Sequence, residues 1–262
     1  MIKPAIILIT GIALLTGCSS APSGRSQLLL YSNSQMSSLG SQSFEQLKKD
    51  QQIEHDPAIN RYVQCVAKAV TQNVPKDGFD EWEIVVFKDK QVNAFALPGG
   101  KIGVYTGLLD VAKNQDQLAT VIGHEVAHVL AEHGNERMSQ SQLASAGLAV
   151  GAIAIGSSKY SQYQQVAVAA LGVGVQYGVL LPYSRLQESE ADNIGLKLMA
   201  NAGFNPQESV SLWRNMSAAS GGKSVPELLS THPSNQNRIN ALQQEANSLN
   251  TSDLAAPHCT KS

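Results

Sequence analysis

His124-Glu125-Val126-Ala127-His128 sets two imidazoles four residues apart with a carboxylate between them. On a helix, positions four apart leave the same face, so both histidines reach one metal ion while Glu125 stands beside the metal's open position. That is the arrangement of zinc-assisted hydrolysis. The pentad arises by chance in about one chain in a hundred of this length, so its surroundings have to carry part of the argument. Asn114, followed three residues on by Gln117, is a capping-box signature for a helix start. Leu118, Val121, Ile122, Val126, Val129 and Leu130 then recur at helical spacing, which puts the pentad on a buried or half-buried amphipathic helix. A histidine pair packed in a core is the plainer reading, and Glu125 argues against it, because an apolar interface does not tolerate an unpaired carboxylate.

A catalytic zinc takes three protein ligands and keeps a fourth position for water. His133 is nine residues beyond His124 and points to the opposite side of a straight helix, as about 100° per residue requires. The extended motif with a third histidine ten positions after the first also fails, since Gly134 stands there. His133 therefore reads as a helix-end or surface residue. Glu188-Ser189-Glu190-Ala191-Asp192 offers a better third ligand. Glu188 and Asp192 share one helix face, and the small Ala191 allows close approach to the metal helix. Glu188 would bind the metal and Asp192 would accept a hydrogen bond from a ligand imidazole and fix its tautomer, while Glu190 points elsewhere. An acidic, solvated helix face explains the same cluster without a metal.

The elements that must position these groups follow from the same kind of pattern. Residues 34–50 and a helix opened by Asp56-Pro57, with Ile59, Tyr62, Val63, Val66 and Val70 as its apolar face, read as scaffold. Trp82 to Phe87, Val92 to Leu97, and Ile102, Val104 and Tyr105 after the Pro98-Gly99-Gly100 turn predict a small antiparallel sheet before the metal helix. Its outer strand, at Asn93, Ala94 and Phe95, could align an extended substrate by backbone hydrogen bonds; a hairpin that only covers the core fits the pattern equally well. Ala144 to Ile155 and Val166 to Leu181 are apolar but unconvincing as membrane spans, and read as buried helices or a cover over a cleft. Ser184 with Gln187 opens a helix to Ala200, Asn205-Pro206-Gln207-Glu208 opens another, and residues 234–249 close the fold with Ile239, Leu242 and Ala246 inward.

With 262 residues, 43% of them hydrophobic, and a net charge of −2, the chain can build one sizeable core or two small ones. No basic stripe is present, which excludes nucleic acid as an expected partner. Lys3 and the short apolar run from Ala5 to Leu15 read as an export signal. Leu15-Thr16-Gly17-Cys18 resembles a bacterial lipobox, which implies cleavage before Cys18, its lipidation, and a flexible tether from Ser19 to Ser26; Ser19 after the cysteine implies the outer membrane. Cys65 and Cys259 are then an even pair facing an oxidising compartment, where a disulfide forms readily, although two separate thiols also satisfy the count.

His124-Glu125-Val126-Ala127-His128, Ser184-Arg185 leading into Glu188-Ser189-Glu190-Ala191-Asp192, Thr231-His232-Pro233 and Arg238 together resemble the zinc peptidase family that contains HtpX and the CAAX prenyl protease. Asn93-Ala94-Phe95-Ala96-Leu97-Pro98-Gly99-Gly100 is similar to that family's segment before the metal helix. The likeness is greatest to its soluble periplasmic branch, which includes LoiP and BepA, though no repeat domain of the BepA kind is read here. The resemblance implies an α+β, mainly helical, gluzincin-like domain with one Zn2+ held by His124, His128 and Glu188, and with Glu125 moving the proton. It places His232 near the cleft, either stabilising an oxyanion or taking the metal's fourth position until substrate arrives. The expected organisation is a signal peptide over 1–17, an anchor and tether over 18–33, a peptidase domain over 34–250 and a tail over 251–262. The expected activity is cleavage of unfolded or misassembled envelope proteins at the periplasmic face of the outer membrane, with the outer-membrane assembly machinery as a partner. The rival from another class is a chaperone-like assembly factor with a repressed or structural zinc site.

Overall fold

The computed structural model describes residues 18–72, 74, 81–156, 184–219, 227–232, 236–249 and 255–261, with side chains omitted from 148–156. Residues 1–17, read as a signal peptide, and the apolar stretch Val166 to Leu181 lie outside the described residues. The chain divides into two compact units, one of residues 1–32 and 132–181, the other of residues 33–131 and 182–262.

In the first unit, β1 (Cys18–Ser20) and β2 (Ser26–Leu28) pair antiparallel, Cys18 opposite Leu28. The expected flexible tether is thus a hairpin. Two backbone bonds between Ala21 and the Gly24–Arg25 segment close its turn, and Arg25 forks onto Glu136 of α4 (His133–Gly156) at 2.6 and 2.8 Å. Asn135 and Ser139 of α4 accept from the amides of Tyr31 and Leu30. Serine-rich sequence carries no strand signal, and the order comes from these partners 104 to 111 residues away. No described helix is long and apolar enough to cross a membrane.

The second unit is built around α3 (Gln115–Leu130), whose side chains from Gln117 to His128 are buried without interruption. α1 (Asn33–Asp50) and α2 (Pro57–Thr71) precede a three-stranded sheet. Pro57 sits in the first turn of α2, and Asp56 caps it by accepting from the amides of Ala58 and Ile59, satisfying donors that a helix start leaves unpaired. The strands are β3 (Glu83–Phe87), β4 (Ala94–Leu97) and β5 (Lys101–Tyr105), in the order β3-β5-β4. β4 and β5 form the expected antiparallel hairpin, turned by Gly99 and Gly100 at φ 86° and 73°, a region open to glycine. β3 pairs with β5 in parallel, so the sheet is mixed and not antiparallel throughout. Alternation of residue types identifies a strand but not its neighbour, and here the third strand inserts between the first two.

α5 (Arg185–Asn201), α6 (Glu208–Ala219), the short α7 (Glu227–Thr231) and α8 (Gln236–Ser248) complete this unit. α3 packs most extensively on α5, and also on α2, α6 and β4. Val63, Val66, Leu118, Ile122, Leu196 and Met199 are among the side chains that fill the core between these helices, each at most 2% exposed. A second, aromatic cluster of Phe44, Phe87, Phe95 and Tyr105 lies between α1 and the sheet, with ring centroids 5.6 to 6.3 Å apart. Cys65 of α2 and Cys259 are disulfide-bonded, so the last described segment, 255–261, is fastened to this unit.

Candidate active site

Two helix starts set the phase of the site. Asn114 accepts from the amide of Gln117, and Gln117 turns back to accept from the amide of Lys113, so α3 begins at a fixed residue. Ser184 and Gln187 form a reciprocal capping box that does the same for α5. Three turns into α3, His124, Glu125 and His128 are buried; one turn into α5, so is Glu188, with Asp192 a turn further on. The helices meet where Gly123 faces Gly195: a Cβ built on Gly195 would lie 2.7 Å from the His124 amide nitrogen, and one on Gly123 2.7 Å from the Gly195 carbonyl oxygen. Backbone contact at this crossing brings the carboxylates of α5 within reach of the imidazoles of α3.

His124 Nε2 lies 3.1 Å from His128 Nε2 and 3.1 Å from His232 Nδ1, and His232 Nδ1 lies 2.9 Å from Glu188 Oε1. Glu188 Oε1 is 3.4 Å from His128 Nε2, and all four donor atoms fall within 4.8 Å of one another. Around a tetrahedral zinc with bonds of 2.0–2.1 Å, ligand atoms stand about 3.3 Å apart. The donor set therefore has the spacing, and the nitrogen and oxygen chemistry, that such an ion needs. Asp192 Oδ1, 3.0 Å from His124 Nδ1, accepts the proton there, so that Nε2 is the nitrogen turned to the other donors and available to a metal.

Charge points the same way. Glu125 and Glu188 are buried carboxylates and Asp192 is a half-buried third, and Arg238 of α8 is the guanidinium among them, at 2.7 Å from Glu188 Oε2 and forked onto Asp192 at 2.6 and 2.7 Å. One guanidinium leaves two negative charges, which a divalent cation balances. Burial works against an imidazolium at His124, but Glu188 and Asp192 outweigh it and raise its pKa to about 9, so without a metal a proton takes part of that place. Burial holds His128 far below its ordinary value, in the neutral form that ligates. Against the cost of burial, His124 and the neighbouring imidazoles hold Glu188 ionised, and Arg238 does the same for Asp192.

Glu125 is pushed up by burial, and its Oε1 has no hydrogen-bond partner among the described residues. That oxygen is 3.4 Å from His232 Nε2. A buried acceptor without a partner costs about 1–3 kcal/mol, a cost that a proton-carrying water at this spot removes.

The structure thus brings together His124, Glu125, His128, Glu188, Asp192 and His232, while Glu190 is buried outside the donor group. Of the two readings of His133, helix end or surface, the structure has the first: it opens α4, and it is wholly buried instead of lying at the surface. His232 is not in a free loop, because its amide donates to Leu228 O and continues the last turn of α7. In the candidate substrate strand, Asn93 O accepts from Tyr105 N. Hydrogen-bonded pairs alternate along the antiparallel register, so Asn93 and Phe95 turn their backbone groups to β5, and Ala94 and Ala96 turn theirs to the sheet's edge. The Phe95 ring packs over Gly103 instead of facing a cleft. Neither a role for Arg238 nor the Gly123–Gly195 crossing was legible in the sequence; small residues at matching places on two predicted helices were the available signal.

A sequence profile of Peptidase family M48 matches residues 55–246. The mitochondrial metalloendopeptidase OMA1 of Schizosaccharomyces pombe is 38% identical over 193 residues, covering 72% of this chain and 54% of that protein. OMA1 of Arabidopsis thaliana is 34% identical over 196 residues, 75% of this chain and 38% of the relative. The beta-barrel assembly-enhancing protease of Escherichia coli is 28% identical over 218 residues, 80% of this chain and 44% of the relative. The chain thus spans about half the length of these relatives, or less. With its paired helices, converging imidazoles and carboxylate, and a profile match across most of its length, the chain belongs to Peptidase family M48.

Proposed function

We propose that the chain is a zinc-dependent endopeptidase in which His124, His128 and Glu188 hold the metal and Glu125 moves the proton. The observation that carries this reading is the convergence of His124 Nε2, His128 Nε2 and Glu188 Oε1 next to Glu125 Oε1, which has no hydrogen-bond partner among the described residues. A bound zinc ion supplies a Lewis acid that polarises the scissile carbonyl and lowers the pKa of a water toward about 7. Glu125 would accept a proton from the attacking water at Oε1 and pass it to the leaving amine, a role suited to a carboxyl whose proton affinity burial has raised. Asp192 keeps the His124 proton on Nδ1. The outward backbone groups of Ala94 and Ala96 would hold an extended peptide as an added strand, a mode that suits unfolded chains of varied sequence.

The lipobox-like Leu15-Thr16-Gly17-Cys18, with Ser19, supports an anchor at the periplasmic face of the outer membrane. The relative whose name ties it to β-barrel assembly supports envelope protein quality control as the setting, with unfolded or misassembled proteins as substrates and the outer-membrane assembly machinery as a partner.

One observation favours the second reading, an assembly factor with a repressed or structural site: His232 makes the donor set four, the number of protein ligands a structural zinc takes. Metal analysis together with cleavage of an unfolded protein such as reduced casein separates the two. The wild-type chain is expected to hold zinc and cleave, and Glu125→Gln to keep zinc and fold but lose at least about a hundredfold in rate. Equal rates in both proteins reject the role of Glu125. Zinc held by a wild-type chain that leaves casein intact establishes the second reading.

A further inference from the structure

Arg238 does more than balance charge. Its side chain, 8% exposed, makes several contacts at once, among them Nη2 at 3.5 Å from His124 Nδ1. Nε and Nη2 fork onto the two oxygens of Asp192, Nη1 pairs with Glu188 Oε2 at 2.7 Å and donates to the backbone oxygen of His232 at 3.3 Å, and the guanidinium plane lies 3.9 Å from the centre of the Trp213 ring. Each partner bears on a different donor. Asp192 orients His124, Glu188 is a donor through its other oxygen, and the His232 backbone carries the fourth imidazole. The fork also fixes distances that a point charge could not, because planar N–H groups meet the Asp192 carboxylate and the His232 carbonyl in set directions, while Glu188 Oε2 is held beside Nη1 by charge.

We propose that Arg238 is the positioning residue of the metal centre: its guanidinium locks Glu188, Asp192 and the His232 backbone into one arrangement, and the affinity of the site for zinc depends on that lock. Arg238 touches neither the donor atoms' meeting point nor a substrate, and acts through the groups that do. The inference rests on the metal reading above.

A cleft of about 340 Å³ between α5 and α8 makes the idea testable without chain repair. It is lined by Arg185, Ser189 and Asn193 as well as by Glu188, Asp192 and Arg238, so it reaches the ion pairs directly. If Arg238 is cut back to alanine, a guanidinium ion from solvent can enter this cleft and occupy the vacated place.

The experiment measures zinc affinity of the full chain by competition with a chromogenic chelator, with circular dichroism as the check on folding. Arg238→Ala is expected to weaken zinc binding about 10- to 100-fold, as loss of an outer-shell partner does. Arg238→Lys, which keeps the charge but not the fork, is expected to weaken it nearly as much. Millimolar guanidinium chloride, too dilute to denature, is expected to restore affinity in Arg238→Ala, and sodium chloride at the same concentration is not. Affinity equal to wild type in either variant, or loss in a folded Arg238→Ala that guanidinium does not relieve, overturns the proposal. If Arg238→Ala fails to fold, the lysine variant decides alone. A wild-type chain that binds no zinc instead removes the metal reading, which keeps the two failures distinct.

Discussion

His232 has two nitrogens with two neighbourhoods. Nδ1 is 2.9 Å from Glu188 Oε1 and 3.1 Å from His124 Nε2, within the donor group, while Nε2 is 3.4 Å from Glu125 Oε1. An oxyanion donor needs to face the place where the substrate carbonyl arrives; a blocking ligand needs to face the other donors. The Nδ1 distances favour the second, the reading we propose. His232→Ala is accordingly expected to raise basal cleavage of reduced casein while zinc is retained. A fall of about a hundredfold or more would assign the oxyanion role instead, and no change would leave His232 outside the reaction. The residue's amide is bonded to Leu228 and its carbonyl to Arg238, so on the blocking reading the imidazole is released by its own rotation or by loss of the last turn of α7.

Most of the donor set was legible at this scale, since His-Glu-x-x-His and Glu-x-x-x-Asp are helical spacings whose facing follows from 3.6 residues per turn. The position of His232 was legible only by resemblance. No local rule says that the end of a five-residue helix reaches a metal helix more than 100 residues earlier, and only the folded packing provides that.

At the scale of elements, the site depends on how closely α3 and α5 approach. A methyl group on Gly195 would stand 2.7 to 2.9 Å from three backbone atoms of Gly123 and His124, none of which can swing aside. Gly195→Ala therefore forces the helices apart, at about 1–3 kcal/mol of stability. Because Glu188 and Asp192 ride on the displaced helix, the metal should suffer as well. The expected outcome is a lower unfolding midpoint together with a smaller rise in that midpoint on adding zinc, since ligand stabilisation scales with the affinity of the folded state. A lower midpoint with an undiminished zinc increment would show that the crossing is structural only. Caps and apolar periodicity located these helices to within a residue or two; Ala191 suggested a close approach, but the contact itself is a turn further on. The mixed sheet and the β1–β2 hairpin were not legible for a common reason. Strand partners and the pairing of Arg25 with Glu136 join residues distant in sequence, and local composition does not encode them.

For the whole molecule, the described tail is the element whose placement depends most on chemistry outside the fold. Residues 255–261 have little apolar surface of their own, yet they are held at several points. Cys259 is bonded to Cys65, its amide donates to the Gln115 side chain at 2.8 Å, and Lys261 donates to Leu109 O at 2.9 Å and lies over the Tyr62 ring. The bond joins residues 194 apart. In the chain-entropy account a closed loop of that length restricts the unfolded state by about 5 kcal/mol, and measured native bridges contribute roughly 2–5. The polar contacts of the tail do not match that, because a part-buried hydrogen bond and a single cation–π contact are worth about 1 kcal/mol each. Protein recovered from an oxidising compartment under thiol-blocking conditions is expected to show the linked Cys65–Cys259 peptide by mass spectrometry. Cys259→Ser is expected to unfold at a lower denaturant concentration, with faster amide exchange over 255–261 and at the start of α3, where Gln115 holds the tail. Two blocked thiols in the wild-type protein would reject the bridge. An intact bridge with unchanged stability in Cys259→Ser would show that the tail is only a passenger, and that α3 keeps its first turn through the Asn114 and Gln117 contacts without it.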